Sequence, residues 1–235
     1  MNSVKRLSPK NAALRRELAS CVRVARRGDR KYYGLQSRAY RLDRKFGEVH
    51  FDERAAESIR ERLSRGEGGV RVLDKGCGTG NFLAHVKRIC PQKVHTTGMS
   101  LTGSLAGENK PLVDEFVREI GLTTRHAEGF DVIRDAYGED YHLPARFLWT
   151  SLRNTVSNLK PGGEAFIMLR TVARPGCGSA TLHQCHGIVT RLKQLPQIEV
   201  MAVNEVKWPQ PAARRVPQTN VDILLHFRKK TSRTK

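Results

Sequence analysis

Beyond residue 50 the chain alternates short apolar runs with segments whose apolar positions recur every three to four residues. Val70-Arg71-Val72-Leu73-Asp74 reads as a short buried strand and Asn81–Ile89 as the helix after it. Lys93–Ser100, Phe130–Ile133, Ala165–Leu169, Ile198–Val206 and Val221–Phe227 read as further strands. Glu53–Ser64, Ala145–Leu159 and Gln184–Leu195 carry helical spacing. For the first of these helices Asp52 is the expected N-cap and Gly66 the stop, while Lys160-Pro161-Gly162-Gly163 is expected to break the second. Val113–Ile120 fits a helix by period, but a third strand at Glu115–Arg118 fits as well. Strands alternating with helices specify α/β architecture, a mostly parallel sheet with helices on both faces. Only a loop separates the last two strands, so the final one is expected to insert antiparallel.

The first 45 residues are different. Fourteen of them are Lys or Arg, against Glu17, Asp29 and Asp43. Asn11–Arg27 has the apolar spacing of an amphipathic helix. The expected organisation is a basic helical extension over 1–50, one α/β domain over 51–230 and a basic tail over 231–235.

Charge changes the picture of partners. The net charge is +19 and the pI about 10.3. Such an excess repels itself and favours a polyanion, most often nucleic-acid phosphate. Arg30, Lys31, Tyr33, Arg38 and Arg41 place cations among aromatic side chains, a combination that suits RNA, and Arg214 and Arg215 follow the rigid Trp208-Pro209-Gln210-Pro211. The expected partner is RNA, ribosomal or transfer, or a ribonucleoprotein. No apolar run approaches the length of a membrane span, so no membrane is expected. The five cysteines are odd in number and suit a reducing compartment. Cytoplasmic placement follows, with an Arg-rich mitochondrial presequence as the alternative. Cys177, His183, Cys185 and His186 match no standard zinc spacing, and a helix would turn Cys185 and His186 apart, so no metal is expected.

The candidate chemistry lies after the first strand. Gly76, Gly78 and Gly80 let the backbone turn tightly and lie close to a ligand at a helix N-terminus. A three-glycine loop alone is shared with NAD and FAD proteins. The wider segment Val72-Leu73-Asp74-Lys75-Gly76-Cys77-Gly78-Thr79-Gly80-Asn81-Phe82-Leu83 resembles motif I of class I S-adenosylmethionine-dependent methyltransferases. Leu159-Lys160-Pro161-Gly162-Gly163 resembles the turn before their fifth strand, and Phe130-Asp131-Val132-Ile133 their motif IV. The resemblance covers roughly 70–230 and implies a seven-stranded sheet, a methyltransferase activity and S-adenosyl-L-methionine as cofactor.

The same resemblance implies cofactor contacts from Asp74 (the methionine amino group), Gly76, Cys77, Gly78, Thr79, Gly80, Asn81 and Phe82. It adds Met99, Ser100 and Leu101 at the end of the second strand, and Asp131. Ser100 stands where the family usually has a ribose-binding acid, so one hydroxyl bond replaces a charge-assisted pair. Lys75 is unusual beside a sulfonium site and is expected to point away. The adenine-contacting acid is Glu119 if 115–118 is a strand, and Glu128 otherwise.

After the fourth strand there is neither Asn/Asp-Pro-Pro-Tyr/Phe nor Pro-Cys, which argues against exocyclic amino methylation by that route and against covalent 5-methylcytosine chemistry. Asp131, Asp135 and Tyr137 are the candidate catalytic residues, with His142 near them. Ser37-Arg38-Ala39-Tyr40-Arg41-Leu42 faintly resembles the "SRAxxKL" segment of heat-shock-type ribose 2′-O-methyltransferases, but Arg41 stands where a catalytic Lys would and Arg170 is offset from the later one. That reaction is not assigned. The alternatives to an RNA methyltransferase are a small-molecule or protein methyltransferase, and a non-catalytic RNA-binding assembly factor with a degenerate fold.

Overall fold

The computed structural model describes residues 51–91, 93–100, 105–118, 122, 124–136, 143, 145–171, 180–207 and 221–231. The expected helix 11–27 and the basic ends lie outside them. Helix α1 spans Phe51–Ser64, strand β1 Val70–Lys75, helix α2 Asn81–Ile89 and strand β2 Val94–Met99. A 3-10 helix at Gly107–Leu112 leads into β3, Glu115–Val117. Then come β4 (Phe130–Asp135), α3 (Ala145–Asn158), β5 (Leu159–Arg170), α4 (Leu182–Lys193), β6 (Ile198–Lys207) and β7 (Val221–Lys229).

The strands form one seven-stranded sheet in the order β3-β2-β1-β4-β5-β7-β6. β1 is parallel to both β2 and β4, and β4 to β5. β7 is antiparallel to β5 and to β6, as the short link between the last strands predicts. From β1 the chain moves outward to β2 and β3, then returns to place β4 on the other side of β1. The order therefore reverses between β1 and β4, and ligands of open α/β sheets bind at that point, beyond the carboxyl ends of the strands.

Side chains alternate across the sheet, and the two faces bury separate cores. Val70, Val72, Val132, Phe166, Met168 and Leu224 pack with α1 and α2. Leu73, Ile133, Ala165, Ile167, Leu169 and Leu225 pack with α3 and α4. α4 is set by a capping box: Thr181 Oγ1 accepts from the Gln184 amide at 3.2 Å, and the Thr181 amide donates to Gln184 Oε1 at 2.9 Å.

Four expectations change. α1 starts at Phe51, so Asp52 lies inside its first turn rather than capping it, and its carboxylate serves the site described below. The ambiguous 113–120 segment supplies a strand, Glu115–Val117, preceded by a 3-10 helix that the apolar spacing did not announce. β5 begins six residues before the expected Ala165. Leu159 pairs with Phe130, the register then shifts, and Glu164 pairs with Val132, so the Lys-Pro-Gly-Gly segment is a bulge inside the strand pairing and not a break before it. The last helix starts at Leu182, two residues before the expected Gln184.

The bulge returns the chain at Glu164, a buried carboxylate. It accepts from Ser58 Oγ at 2.9 Å, from Arg228 Nε at 2.9 Å and from Arg228 Nη2 at 2.6 Å, and His226 Nε2 stands 3.2 Å away. Burial alone would push this carboxyl up. The bonds from His226, Arg228 and Ser58, with the Arg228 charge, outweigh burial and hold it down at about 2. A carboxyl held below its ordinary value of 4.5 stabilises the fold above that pH, and the contribution is lost as pH falls toward 2. We expect Glu164→Gln to lower the melting temperature at neutral pH, with the difference from the parent shrinking between about pH 4.5 and about pH 2 in a series of thermal melts.

Candidate functional site

At the carboxyl ends of β1 and β4 two residues on each strand carry opposite charges in crossed order: Asp74-Lys75 against Arg134-Asp135. Asp74 and Arg134 are direct partners in the strand register. Arg134 Nη1 donates to Asp74 Oδ1 at 2.7 Å. Its Nε donates to Asp52 Oδ1 of α1 at 2.6 Å, and its guanidinium lies 4.5 Å from the ring centroid of Phe82 on α2. Alternation sends the next pair to the opposite face. Lys75 Nζ lies 3.6 Å from Asp135 Oδ2 and donates to Ser151 Oγ at 2.9 Å and to Thr155 Oγ1 at 3.2 Å, both on α3. The unusual Lys75 is therefore 2% exposed and turned from the glycine loop, as expected of it.

Burial pushes the Asp74 carboxyl up, against the pull of Arg134, to about 6. A carboxyl so perturbed by burial beside a specific charge partner, at the strand ends where ligands bind, is a candidate functional position. Cys77 beside it is a buried thiol whose pKa burial raises above the ordinary range, so it is inert at neutral pH.

The loop between β1 and α2 is fixed from two sides. The amides of Gly76 and Cys77 both donate to the Met99 carbonyl, at 2.7 and 3.0 Å. Gly76, Gly78 and Gly80 all have positive φ, which side chains disfavour. From the 3-10 segment, the Ala106 amide and Asn109 Nδ2 each donate to the Thr79 carbonyl at 3.0 Å, and Asn109 Nδ2 also reaches Asn81 Oδ1 at 2.7 Å. Gly80 is packed, since a Cβ there would lie 2.7 Å from Leu105. Gly78 is open, with nothing within 4 Å of such an atom. The loop is thus anchored at both ends and, among the described residues, leaves its backbone open at Gly78 in the middle.

Asp74, Gly76, Cys77, Gly78, Thr79, Gly80, Asn81, Phe82, Met99 and Ser100 all fall at this strand end, with Ser100 buried and its amide bonded to the Val117 carbonyl at 3.1 Å. Asp131 does not join them. It is the second residue of β4, about 13 Å along the strand from Asp135 at 3.3 Å per residue. Its Oδ2 accepts from the Arg71 amide at 2.7 Å and from Lys160 Nζ at 2.8 Å, so it ties β1 and the β5 bulge together at the amino side of the sheet. Glu128 is likewise at the amino side, in contact with Arg71, and cannot reach an adenine beyond the carboxyl ends. Asp135 ends β4 as expected, but its carboxylate is buried against Lys75 and acts there as an anchor of the strand end.

Leu101, Glu119, Tyr137 and His142 lie outside the described residues, as do Arg30, Lys31, Tyr33, Arg38, Arg41, Arg214, Arg215 and Cys177. Cys185 sits in the core while His186 Nε2 meets Glu205 at 2.9 Å, so the Cys/His segment is not gathered into one place. Among the described residues there is no metal-binding cluster, and no helix is long and apolar enough to cross a membrane.

Sequence reading missed Arg134, Asp52 and Asn109. Arg134 had a signal: an Asp-Lys strand end facing an Arg-Asp strand end invites cross-strand pairing; Asp52, on α1, had none beyond its acidic place in a first turn. Asn109 had none, because its 3-10 helix lacks a periodic apolar stripe.

No protein-family model and no curated protein matches the chain. Solved structures do. One is the plantazolicin methyltransferase BpumL in complex with a pentazolic desmethylPZN analog and S-adenosylhomocysteine, at TM-score 0.57, 15% identity, and coverage of 92% of this chain and 98% of that one. Another is the Burkholderia thailandensis 1,6-didemethyltoxoflavin-N1-methyltransferase with bound 1,6-didemethyltoxoflavin and S-adenosylhomocysteine, at TM-score 0.56, 17% identity, and coverage of 97% and 93%. A third is a TehB-like S-adenosylmethionine-dependent methyltransferase from Corynebacterium glutamicum, at TM-score 0.54, 19% identity, and coverage of 90% and 99%. With the strand order and the antiparallel β7, these similarities establish that the chain has the class I methyltransferase fold.

Proposed function

We propose that the chain is an S-adenosylmethionine-dependent methyltransferase and that its substrate is RNA. The observation that carries the first part is the bare backbone at Gly78, set beside the ionisable Asp74 at the point where the sheet order reverses. The site residues fit the cofactor. Asp74 offers a carboxylate to an amino group, Ser100 stands at the end of β2 where a ribose would lie, and Lys75 directs its charge to the other face of the sheet. The bound cofactor supplies a methyl group already carried on a positive sulfur. What the protein must add is chiefly alignment, and the pinned loop provides a rigid surface for it.

RNA is favoured by the net charge of +19 and by the scarcity of acids on the helices next to the site. The plantazolicin enzyme was solved with a pentazolic desmethylPZN analog and the toxoflavin enzyme with 1,6-didemethyltoxoflavin, and that favours a small-molecule reading instead. Incubation with methyl-labelled cofactor and separate RNA, protein and small-metabolite fractions decides between them. We expect label in the RNA fraction. Label confined to small metabolites overturns the RNA assignment alone, whereas no transfer, with no S-adenosylhomocysteine binding in calorimetry, overturns both.

Two further outcomes follow from the Asp74–Arg134 pair. If Asp74 holds the amino group as a carboxylate, affinity for S-adenosylhomocysteine falls below about pH 6, approaching tenfold per pH unit, and Asp74→Asn removes that dependence while weakening binding at neutral pH. Calorimetric titrations across pH 5 to 8 provide the check. Arg134→Met removes the guanidinium that neutralises the buried Asp74 carboxylate and should cost about 3 kcal/mol of stability, measured by urea unfolding.

A further inference from the structure

Helices α3 and α4 together contain no Asp and no Glu. Their exposed cations are Arg146, Arg153, Arg191 and Lys193. Between the two helices runs a groove of about 400 Å³ lined by Ala145, Arg146, Trp149, Gln184, Gly187, Ile188 and Arg191. The spacing explains the groove. Ala145, Arg146 and Trp149 lie within one turn of each other on α3, and Gln184, Gly187 and Arg191 recur at i, i+3 and i+7 on α4, so each helix turns one stripe into it. The Arg191 guanidinium lies 4.2 Å from the Trp149 ring centroid.

Gly187 is the telling residue. A glycine inside a helix costs roughly 1 kcal/mol relative to alanine. Packing among the described residues gives no reason for it, because a Cβ at Gly187 would meet none of them within 4 Å. Its effect is to keep the groove open. The position also matters. Ala180 bridges Thr171 at the carboxyl end of β5, so α4 starts at the same side of the sheet as the glycine loop.

We propose that this groove binds single-stranded RNA next to the methylated nucleotide. A base lies over Gly187 against the stacked Arg191–Trp149 pair, and phosphates meet Arg146 and the edge of the Arg191 fork. The combination selects this partner. Flat aromatic and guanidinium faces take unpaired bases, and arginine forks match phosphate. An acidic peptide would use the cations but would need neither the flat pair nor the missing side chain. The proposal rests on the RNA reading above, and the test separates the two.

The full chain is titrated with fluorescein-labelled oligouridylate, following anisotropy from low to physiological salt. Gly187→Leu fills the groove without altering charge and replaces a poor helix former with a good one, so it should fold. We expect it to weaken binding about tenfold. Arg146→Ala with Arg191→Ala should lower the slope of log affinity against log salt by roughly 1.4, about 0.7 for each phosphate that is no longer neutralised. Arg54→Glu with Arg60→Glu, on exposed positions of α1, is the charge control and should cost far less than a double reversal at Arg146 and Arg191.

Parent-like binding by Gly187→Leu, or equal loss in the α1 control, overturns the groove while leaving RNA as the substrate. Displacement of the oligonucleotide by polyglutamate as readily as by unlabelled oligouridylate overturns it in favour of an acidic protein partner. Absence of oligouridylate binding at low salt overturns the groove and the RNA reading together.

Discussion

The crossed charges at the ends of β1 and β4 constrain the rest of the site. A buried charge is tolerated only with a partner and further hydrogen bonds. Each of the four residues here obtains a partner from the neighbouring strand. Because alternate side chains leave opposite faces, the arrangement places one ion pair above the sheet and one below. A slip of β1 by one residue would send both of its charges to the wrong face. It would set Asp74 in the α3 core and Lys75 against α1 and α2, each facing the wrong partner. The pairing thus fixes the register of the two central strands at the place where the fold opens to a ligand.

From that constraint the geometry of the loop follows. Asp74 cannot swing, because Arg134 holds it and is itself held by Asp52 and stacked on Phe82. The chain must then turn immediately after Lys75 and return to begin α2. Met99 receives the first two amides of the turn, and the 3-10 segment closes over its far end at Thr79 and Gly80. Among the described residues, what is left uncovered is the stretch around Gly78. The opening is therefore a consequence of anchoring on both sides and needs no local flexibility.

The architecture was legible because the strands that build the centre are short, apolar and separated by helices of clear period. The glycine loop was legible because glycine spacing carries a backbone requirement. Where reading failed, two requirements overlapped on the same residues. Lys160–Gly163 has turn composition, and turn composition ordinarily ends pairing. Here Leu159 and Glu164 both pair with β4 around it, so the turn is absorbed as a bulge. Asp131 sits in a motif-like strand, and its sequence neighbourhood suggests a pocket. Only the sheet direction shows that its end of β4 is the amino end, where a carboxylate serves the Arg71 amide. Asp52 has the composition of a cap, but the nearby buried guanidinium is a stronger claim on its charge than a helix amide.

The fate of the acids also explains where the positive charge remains. Asp52 and Asp74 are engaged by Arg134, Asp135 by Lys75, Asp131 by Lys160, Asp114 by Lys87, and Glu164 by Arg228 and Arg62. Several of these pairs are buried or half-buried, so they cancel charge inside the fold and project little field outward. Helices α3 and α4 carry cations but no Asp or Glu of their own. Field lines from such a surface concentrate in concave regions with low-dielectric walls, and the groove beside Trp149 is one. The carboxylates that hold β1, β4 and β5 together are matched by cations on the spot and project little charge, so the field on the helical side is set by the helices themselves, and α3 and α4 bring no acid to it.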